Sequence, residues 1–334
     1  MSVQNIKTSS IEVNNGLRIR SEIETRQLGS SKQDHVANGN FSSAPDNHTF
    51  WIAAFDGHGN NQATTQIRNA PLDEIMQKPA SWSYVQTLIQ SDTTADNETK
   101  LKSGSTMVYA KAELSPTGIK VTITNIGDST AVVFLNDEPI FVTTQQDYNN
   151  GVEMSRLIKE NRVNIQSPLL MQDSNFEVLS PTTLRCIQGT YVSFVSPLGK
   201  QILSMSQSLG HCCITGLKPD DTVFHFNRTD RIKIALFSDG VSDVMPVNGL
   251  TPTNTFSFMT TPTALLDEAE RRWKQIWNVH SGTDLRKINQ TSFPKNGYDD
   301  CCCAMIDIEP FMDCLPPPPI TIVDETSQQD DIYA

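Results

Sequence analysis

Apolar and polar positions along this chain alternate in short blocks far more often than they recur at helical spacing. From Gly16 the segment LRIRSEI alternates, the mark of a strand with one face buried. WIAAF (Trp51 to Phe55) is a continuous apolar run closed by Asp-Gly, which suits a strand covered on both faces. Three more strand-like runs follow: STMVYAKAEL, IKVTITNI and STAVVFL. Pro116-Thr117-Gly118 and Gly127-Asp128 separate them, and these turn signals predict an antiparallel meander. PIFVTT, RIKIALFS and CCCAMIDI read as further strands.

Helical spacing is confined to a few places. Trp82, Val85, Leu88 and Ile89 share one face behind a Ser81 cap. Met154, Leu157 and Ile158 fit a short helix, and Leu265, Leu266, Ala269, Trp273, Ile276 and Trp277 line one side of a helix begun at Pro262. Residues 161–230 show no clear period. Many strands with few helices predict an α+β class rather than alternating βαβ units. The polar residues 1–15 read as a flexible N-terminus, 16–309 as one folded domain, and 310–334, with Pro316 to Pro319 and an acidic end, as a tail.

Composition narrows the function. Of 334 residues, 37% are hydrophobic and 19% charged, as in a globular protein. The formal charge is −12, from 26 basic against 38 acidic residues, with no basic stripe of the kind that binds nucleic acid. No apolar run is long enough to span a bilayer and the opening residues lack the layout of a secretory signal, so no membrane partner is expected. Seven cysteines, five of them immediate neighbours, lack the CxxC spacing of a zinc site and cannot all pair. Reduced, buried thiols in a cytoplasmic monomer are the simplest account.

The chemistry lies in the aspartates. Asp56 follows WIAAF, Asp239 follows RIKIALFS, Asp299 precedes DCCCAMI, Asp147 comes soon after IFVTT, and Asp34 precedes HVANG. Taken singly, each Asp-Gly is an ordinary turn signal. Together, carboxylates at strand ends can converge on one rim, where mutual repulsion calls for cations. An oxygen-rich set of this kind suits hard ions such as Mg²⁺ or Mn²⁺. Ser103-Gly104-Ser105-Thr106 lacks the G-x-S-x-G pattern of a nucleophile elbow.

The order of whole phrases adds to this. FDGHG (Phe55 to Gly59), SGST (Ser103 to Thr106), NIGDSTAVV (Asn125 to Val133), TTQQD (Thr143 to Asp147), SMSQSLG (Ser204 to Gly210), FSDGVSDVM (Phe237 to Met245) and DDCCCAMI (Asp299 to Ile306) occur in sequence. From about Asp34 to Asp307 the chain resembles the metal-dependent, type 2C family of serine/threonine protein phosphatases. The resemblance implies a four-layer α-β-β-α sandwich with two central antiparallel sheets and a dinuclear metal site at one rim. It implies hydrolysis of phosphoserine and phosphothreonine in a phosphoprotein by metal-activated water, without a phosphoenzyme. Two Mg²⁺ or Mn²⁺ ions are expected, with a weaker third position. Asp56 would bridge the ions, joined by the Gly57 carbonyl. Asp239 and Asp299 would hold the first ion, Asp34 would face the second, and Asp147 with Asp239 would form the third position. His58 would be the general acid.

Two departures stand out. The family's phosphate-gripping arginine is absent from LGSSKQD, which leaves Lys32 or Arg26 as substitutes, and Gln33 stands where a glutamate often does. Gln207 and His211 replace the usual arginine and aspartate in the SMSQSLG region. The rival readings are a pseudophosphatase acting as an interaction module and a hydrolase of small phosphate esters.

Overall fold

The computed structural model describes residues 7–14, 16–44, 47–161, 170–196, 199–211, 215, 217–247, 255–280 and 288–311. The chain opens with strands β1 (Lys7–Asn14), β2 (Leu17–Arg26), β3 (His35–Ala44), β4 (Asn47–Phe55) and β5 (Gly57–Gly59). Helices α1 (Gln62–Arg68), α2 (Leu72–Met76), α3 (Ser81–Ser91) and α4 (Asn97–Leu101) follow. Next come β6 (Ser103–Ser105), β7 (Met107–Ser115), β8 (Gly118–Ile126), β9 (Thr130–Leu135), β10 (Glu138–Val142) and α5 (Gly151–Lys159). β11 (Leu170–Ser180), β12 (Thr183–Ser196), β13 (Gly199–Leu203), β14 (Leu209–Gly210), β15 (Asp220–Phe226) and β16 (Ile232–Phe237) lead to α6 (Asp239–Ser242). Helix α7 (Pro262–Lys274) and strands β17 (Trp277–His280), β18 (Ile288–Thr291) and β19 (Cys301–Pro310) complete the described elements.

Two antiparallel sheets form the centre. One runs β1-β2-β19-β16-β9-β10 and the other β15-β8-β7-β4-β3. Between them lies a core drawn alternately from both: Ile19 and Ile23 of β2, Ile234 of β16 and Ile306 of β19 meet Ile52, Ala110 and Ile123 of the second sheet. The opposite faces are covered by helices, as strands buried on both sides require. Leu265, Leu266, Ala269 and Trp273 of α7 pack on Val132, Ala235 and Met305. Ala63, Ile67, Met76, Val85 and Ile89 of the N-terminal helices pack on Trp51, Ala53, Phe55 and Tyr109. This is the four-layer α-β-β-α sandwich. Alternation also disposes of the cysteine run: Cys302 enters the inter-sheet core while Cys301 and Cys303 face α7, all three as free thiols. Cys212 and Cys213 lie outside the described residues, as do residues 312–334 of the tail.

Four local expectations change. The meander is broken after β8: β7 and β8 pair, but β9 pairs with β16 in the other sheet. Gly127, at φ 104°, is therefore a crossover between sheets rather than a hairpin turn, a backbone conformation that glycine adopts without a Cβ penalty. The β9–β10 hairpin turns instead at Asn136 and Asp137, both at positive φ (52° and 69°), as a two-residue turn demands. Residues 7–14, polar enough to read as frayed, form the edge strand β1 along the full length of its pairing with β2. An edge strand can be polar because one side faces no partner. Ser81 does not cap α3; Ala80 precedes it in a left-handed conformation, without a side-chain cap. Helix α7 starts as expected, with Thr261 Oγ1 accepting from the Ala264 amide, but Gln275 is extended. Ile276 is consequently 66% exposed, and Trp277 begins β17.

The segment without period supplies the long β11–β12 hairpin of a third sheet, β11-β12-β17-β18, which β17 and β18 extend from further along the chain. Phe176 of β11 lies 5.0 Å from Phe293, which lies 4.9 Å from Trp273 of α7, so an aromatic relay seats the hairpin on the helix layer.

Candidate metal and phosphate site

The site lies at the rim where strands from both sheets end, and the chain returns there five times. Asp56 follows β4, Asp128 follows the Gly127 crossover, Asp147 follows β10, Asp239 opens α6 just after Ser238, which follows β16, and Asp299 precedes β19. Carboxylate oxygens of Asp56, Asp128 and Asp239 lie within 4.8 Å of one another, as do those of Asp239, Asp243 and Asp299. Asp239 belongs to both sets and is the centre of the cluster.

Asp34 joins from the β2–β3 loop. Its Oδ2 accepts from the Ser238 hydroxyl at 2.7 Å. That loop is shaped by Asp300, whose carboxylate accepts from the amides of Gly29 (2.7 Å) and Gln33 (3.0 Å). Arg68 of α1 adds a clasp, donating to the carbonyls of Lys32 (2.9 Å) and Asp34 (3.1 Å). Gln33 ties the loop to the β5 turn through Gly59 and Asn61, and so acts as a strut. Asp147 closes an Asx turn onto the amides of Asn149 and Asn150, which holds its carboxylate in place.

Electrostatics follow from burial and crowding. Burial, with Asp300 and Asp239 nearby, pushes the Asp34 carboxyl up to about 8, despite the Ser238 hydroxyl pulling it down. Burial and the surrounding aspartates likewise raise Asp56, Asp128 and Asp299 well above the carboxylate range, and burial raises Asp147. A metal-free fold therefore holds these groups at a cost that protons or cations relieve. Buried Oδ1 atoms of Asp128 and Asp239 have no hydrogen-bond partner. Orphaned carboxylate oxygens from separate strands, within reach of a single ion, fit hard divalent cations with oxygen ligands.

A cleft of about 580 Å³ opens over this floor. One wall carries Asp128, Asp147, Asp239, Asp243 and Asp299, and the facing wall is the β11–β12 hairpin with Phe176, Val178, Ile187 and Tyr191. Among the described residues lining it there is no lysine or arginine. Arg26 is instead held by Glu24 and Asp267, both at 2.7 Å. Lys32 is exposed on the Asp34 loop, at φ 55°. The side-chain donors among the described residues lining the cleft are neutral, among them the amides of Asn149 and Asn175 and the Tyr191 hydroxyl. Burial, then Asp173, Asp243 and Asp147, push the Tyr191 phenol up, so it keeps its proton.

His58 sits on β5, two residues after Asp56, with Gly57 between them paired to Ser105. Burial first, then the neighbouring His211, hold its ring well below the usual histidine range. Neither of its ring nitrogens has a partner of good hydrogen-bond geometry.

The sequence reading did not single out Asp128, Asp243 or Arg68. Asp128 was visible in NIGDSTAVV, but a glycine-aspartate pair there read as a turn. Asp243 stands one helical turn beyond Asp239, a spacing that puts both on one face of α6. Arg68 carried no signal, because its role depends on where α1 packs.

Solved structures share this architecture. A serine-threonine phosphatase 2C from Toxoplasma gondii matches with TM-score 0.51 at 13% identity, over 92% of this chain and 99% of that one. A sex determining protein from C. elegans matches with TM-score 0.51 at 15% identity, over 90% of this chain and 67% of that one. At these identities the likeness speaks for the fold. No curated protein sequence matches the chain. The family model described as protein phosphatase 2C matches residues 20–250, and the chain belongs to the protein phosphatase 2C family of serine/threonine phosphatases.

Proposed function

We propose that this chain hydrolyses phosphoserine and phosphothreonine esters of proteins in the cleft over the aspartate cluster. The observation that carries the proposal is the convergence of Asp34, Asp56, Asp128, Asp239 and Asp299 on one rim, with buried oxygens left unpartnered. Asp56, the Gly57 carbonyl, Asp239 and Asp299 are the residues that would hold one Mg²⁺ or Mn²⁺, and Asp34 with Asp56 a second. Asp147, Asp239 and Asp243 offer a weaker third position. Bound there, such ions neutralise charge building on the phosphoryl oxygens and lower the pKa of water.

The chain's own groups do the rest. The hairpin wall and the amides of Asn149 and Asn175 orient the phosphorylated segment and exclude bulk water. His58 holds a proton at a ring nitrogen for the departing serine or threonine oxygen. Without substrate, burial keeps that ring neutral; a phosphate dianion arriving beside it favours the protonated form. Lys32 is the remaining candidate for an added cationic contact. Direct attack by water, without a phosphoenzyme, is the reading we adopt.

One observation favours a second reading, an interaction module without turnover: no basic side chain among the described residues lines the cleft. Rapid-quench turnover with a ³²P-labelled phosphothreonine peptide and Mn²⁺ separates the two. The expected result is free labelled phosphate at a rate that EDTA abolishes, with no label on the protein at any time. Label trapped covalently on the chain would overturn the mechanism, and absence of free phosphate would favour the interaction module.

A further inference from the structure

We infer that His211 is a positioning residue for His58, fixing that imidazole by ring stacking where no well-formed hydrogen bond to its nitrogens does so. The inference rests on the reading of His58 as proton donor. The two rings lie with centroids 4.7 Å apart and planes 26° from parallel. Buried imidazole nitrogens ordinarily find partners, and a hydrogen bond is the usual means of fixing such a ring. His58 makes no hydrogen bond of good geometry, so packing takes the main part in its orientation.

Topology explains how the two rings meet. In the small sheet β14-β6-β5, the central residue Gly104 pairs with His58 on one side and Gly210 on the other. A Cβ at Gly104 would stand 2.3 Å from His211 Cδ2 and Nε2 and 2.7 Å from His58 Nε2. Both rings therefore lie directly over bare backbone, a space that any larger residue at 104 would fill.

His211 is itself held. Its Nδ1 lies 2.8 Å from the Leu101 carbonyl. A carbonyl only accepts, which assigns the proton to Nδ1 and leaves Nε2, also buried and unpartnered, as the free nitrogen. The backbone at His211 is left-handed, at φ 49°, directly after Gly210 at φ 84°. For a non-glycine residue that conformation costs of order 1 kcal/mol. Strain of this kind persists where the surrounding structure demands the side chain's position, and here that position is the face of His58.

The test compares His211→Phe, His211→Ala and His58→Gln in the full chain with Mn²⁺, on a phosphothreonine peptide and on p-nitrophenyl phosphate. A misplaced acid costs most where the leaving group needs protonation. His211→Ala should lower kcat on the peptide by ~10–10²-fold, with KM little changed and p-nitrophenyl phosphate slowed far less. His211→Phe, which keeps a flat ring, should retain most of the peptide activity. Mn²⁺ affinity by calorimetry should be the same in all three proteins. In ¹⁵N-histidine spectra of the metal-free protein, the His58 ring signals should broaden or shift in His211→Ala far more than in His211→Phe. Equal slowing of both substrates by His211→Ala would overturn the inference, as would equal damage from Phe and Ala. If His58→Gln itself slows both substrates equally, the proton-donor reading fails separately, and unchanged His58 ring signals in His211→Ala would then sink the positioning role.

Discussion

Replacing Asp239 by asparagine is expected to abolish most turnover while making the metal-free protein more stable. Asp239 is shared by both carboxylate groupings, so its charge serves every ion that the rim could hold. Loss of one electrostatic stabiliser of a transition state costs on the order of 10²–10³-fold, and removal of the shared ligand should reach at least that scale. The same charge is a liability without metal. Asp239 is among the causes that raise Asp34, Asp56, Asp128 and Asp299. Removing it should relieve repulsion at several neighbours together and raise the melting temperature by a few degrees, roughly 2–4 °C per kcal/mol for a chain of this size class. Calorimetry and phosphopeptide kinetics on one preparation check both signs. Asp147→Ala should be milder in turnover, since Asp147 belongs to neither tight grouping. A variant at 239 that is less stable without metal and still active would contradict the placement of charge in this rim.

The metal-free protein should also lose stability as pH rises from 6.5 to 8.5, and Mn²⁺ should restore it. The sign follows from the carboxyls. Asp34 stands at about 8 in the fold against 3.8 as an ordinary carboxyl, so between those values the folded state binds more protons. Its favourable protonated contribution is complete below the unfolded value and is lost as pH rises through the folded one. Ionising it in place costs of order 5 kcal/mol before relaxation. His35 works in the opposite sense. Burial lowers it to about 4, so below 6.5 the unfolded state takes the proton more readily and acid destabilises. From pH 6.5 upward the carboxylates therefore set the sign, joined near the top of the window by the thiols of Cys301, Cys302 and Cys303, which burial also holds protonated. Metal competes with protons for the same oxygens, and the Mn²⁺-induced shift in melting temperature should be larger at pH 8 than at pH 6. Thermal unfolding at the two pH values, with and without Mn²⁺, gives the answer. A metal shift independent of pH would show that the buried carboxylates are not the ligands.

Much of this was legible in the residues. Strand ends carrying Asp56, Asp239 and Asp299 could be read because an apolar run that stops at an acid marks both an element boundary and a rim position. Helix α7 was legible from its spacing, although Trp277 extended the apparent face past Lys274 because it is buried from a strand instead. What stayed hidden depends on pairing across the fold. The crossover at Gly127 looks the same in sequence as a hairpin turn. The β11–β12 hairpin is half-exposed on both faces, so it shows no clean alternation. The His58–His211 stack joins residues 153 positions apart through a sheet of three short strands, which no local pattern announces.

Divalent-ion binding by the rim aspartates is proposed to drive phosphate-ester hydrolysis. Its most direct test is a single Mn²⁺ titration of the chelated protein, following bound metal by calorimetry and phosphate released from a phosphothreonine peptide on the same sample. Phosphate release should start from background and rise as the tight sites fill, with Asp239→Asn showing weaker binding and almost no release. Full release from the chelated protein, or tight sites that fill with no release above background, would contradict the claim.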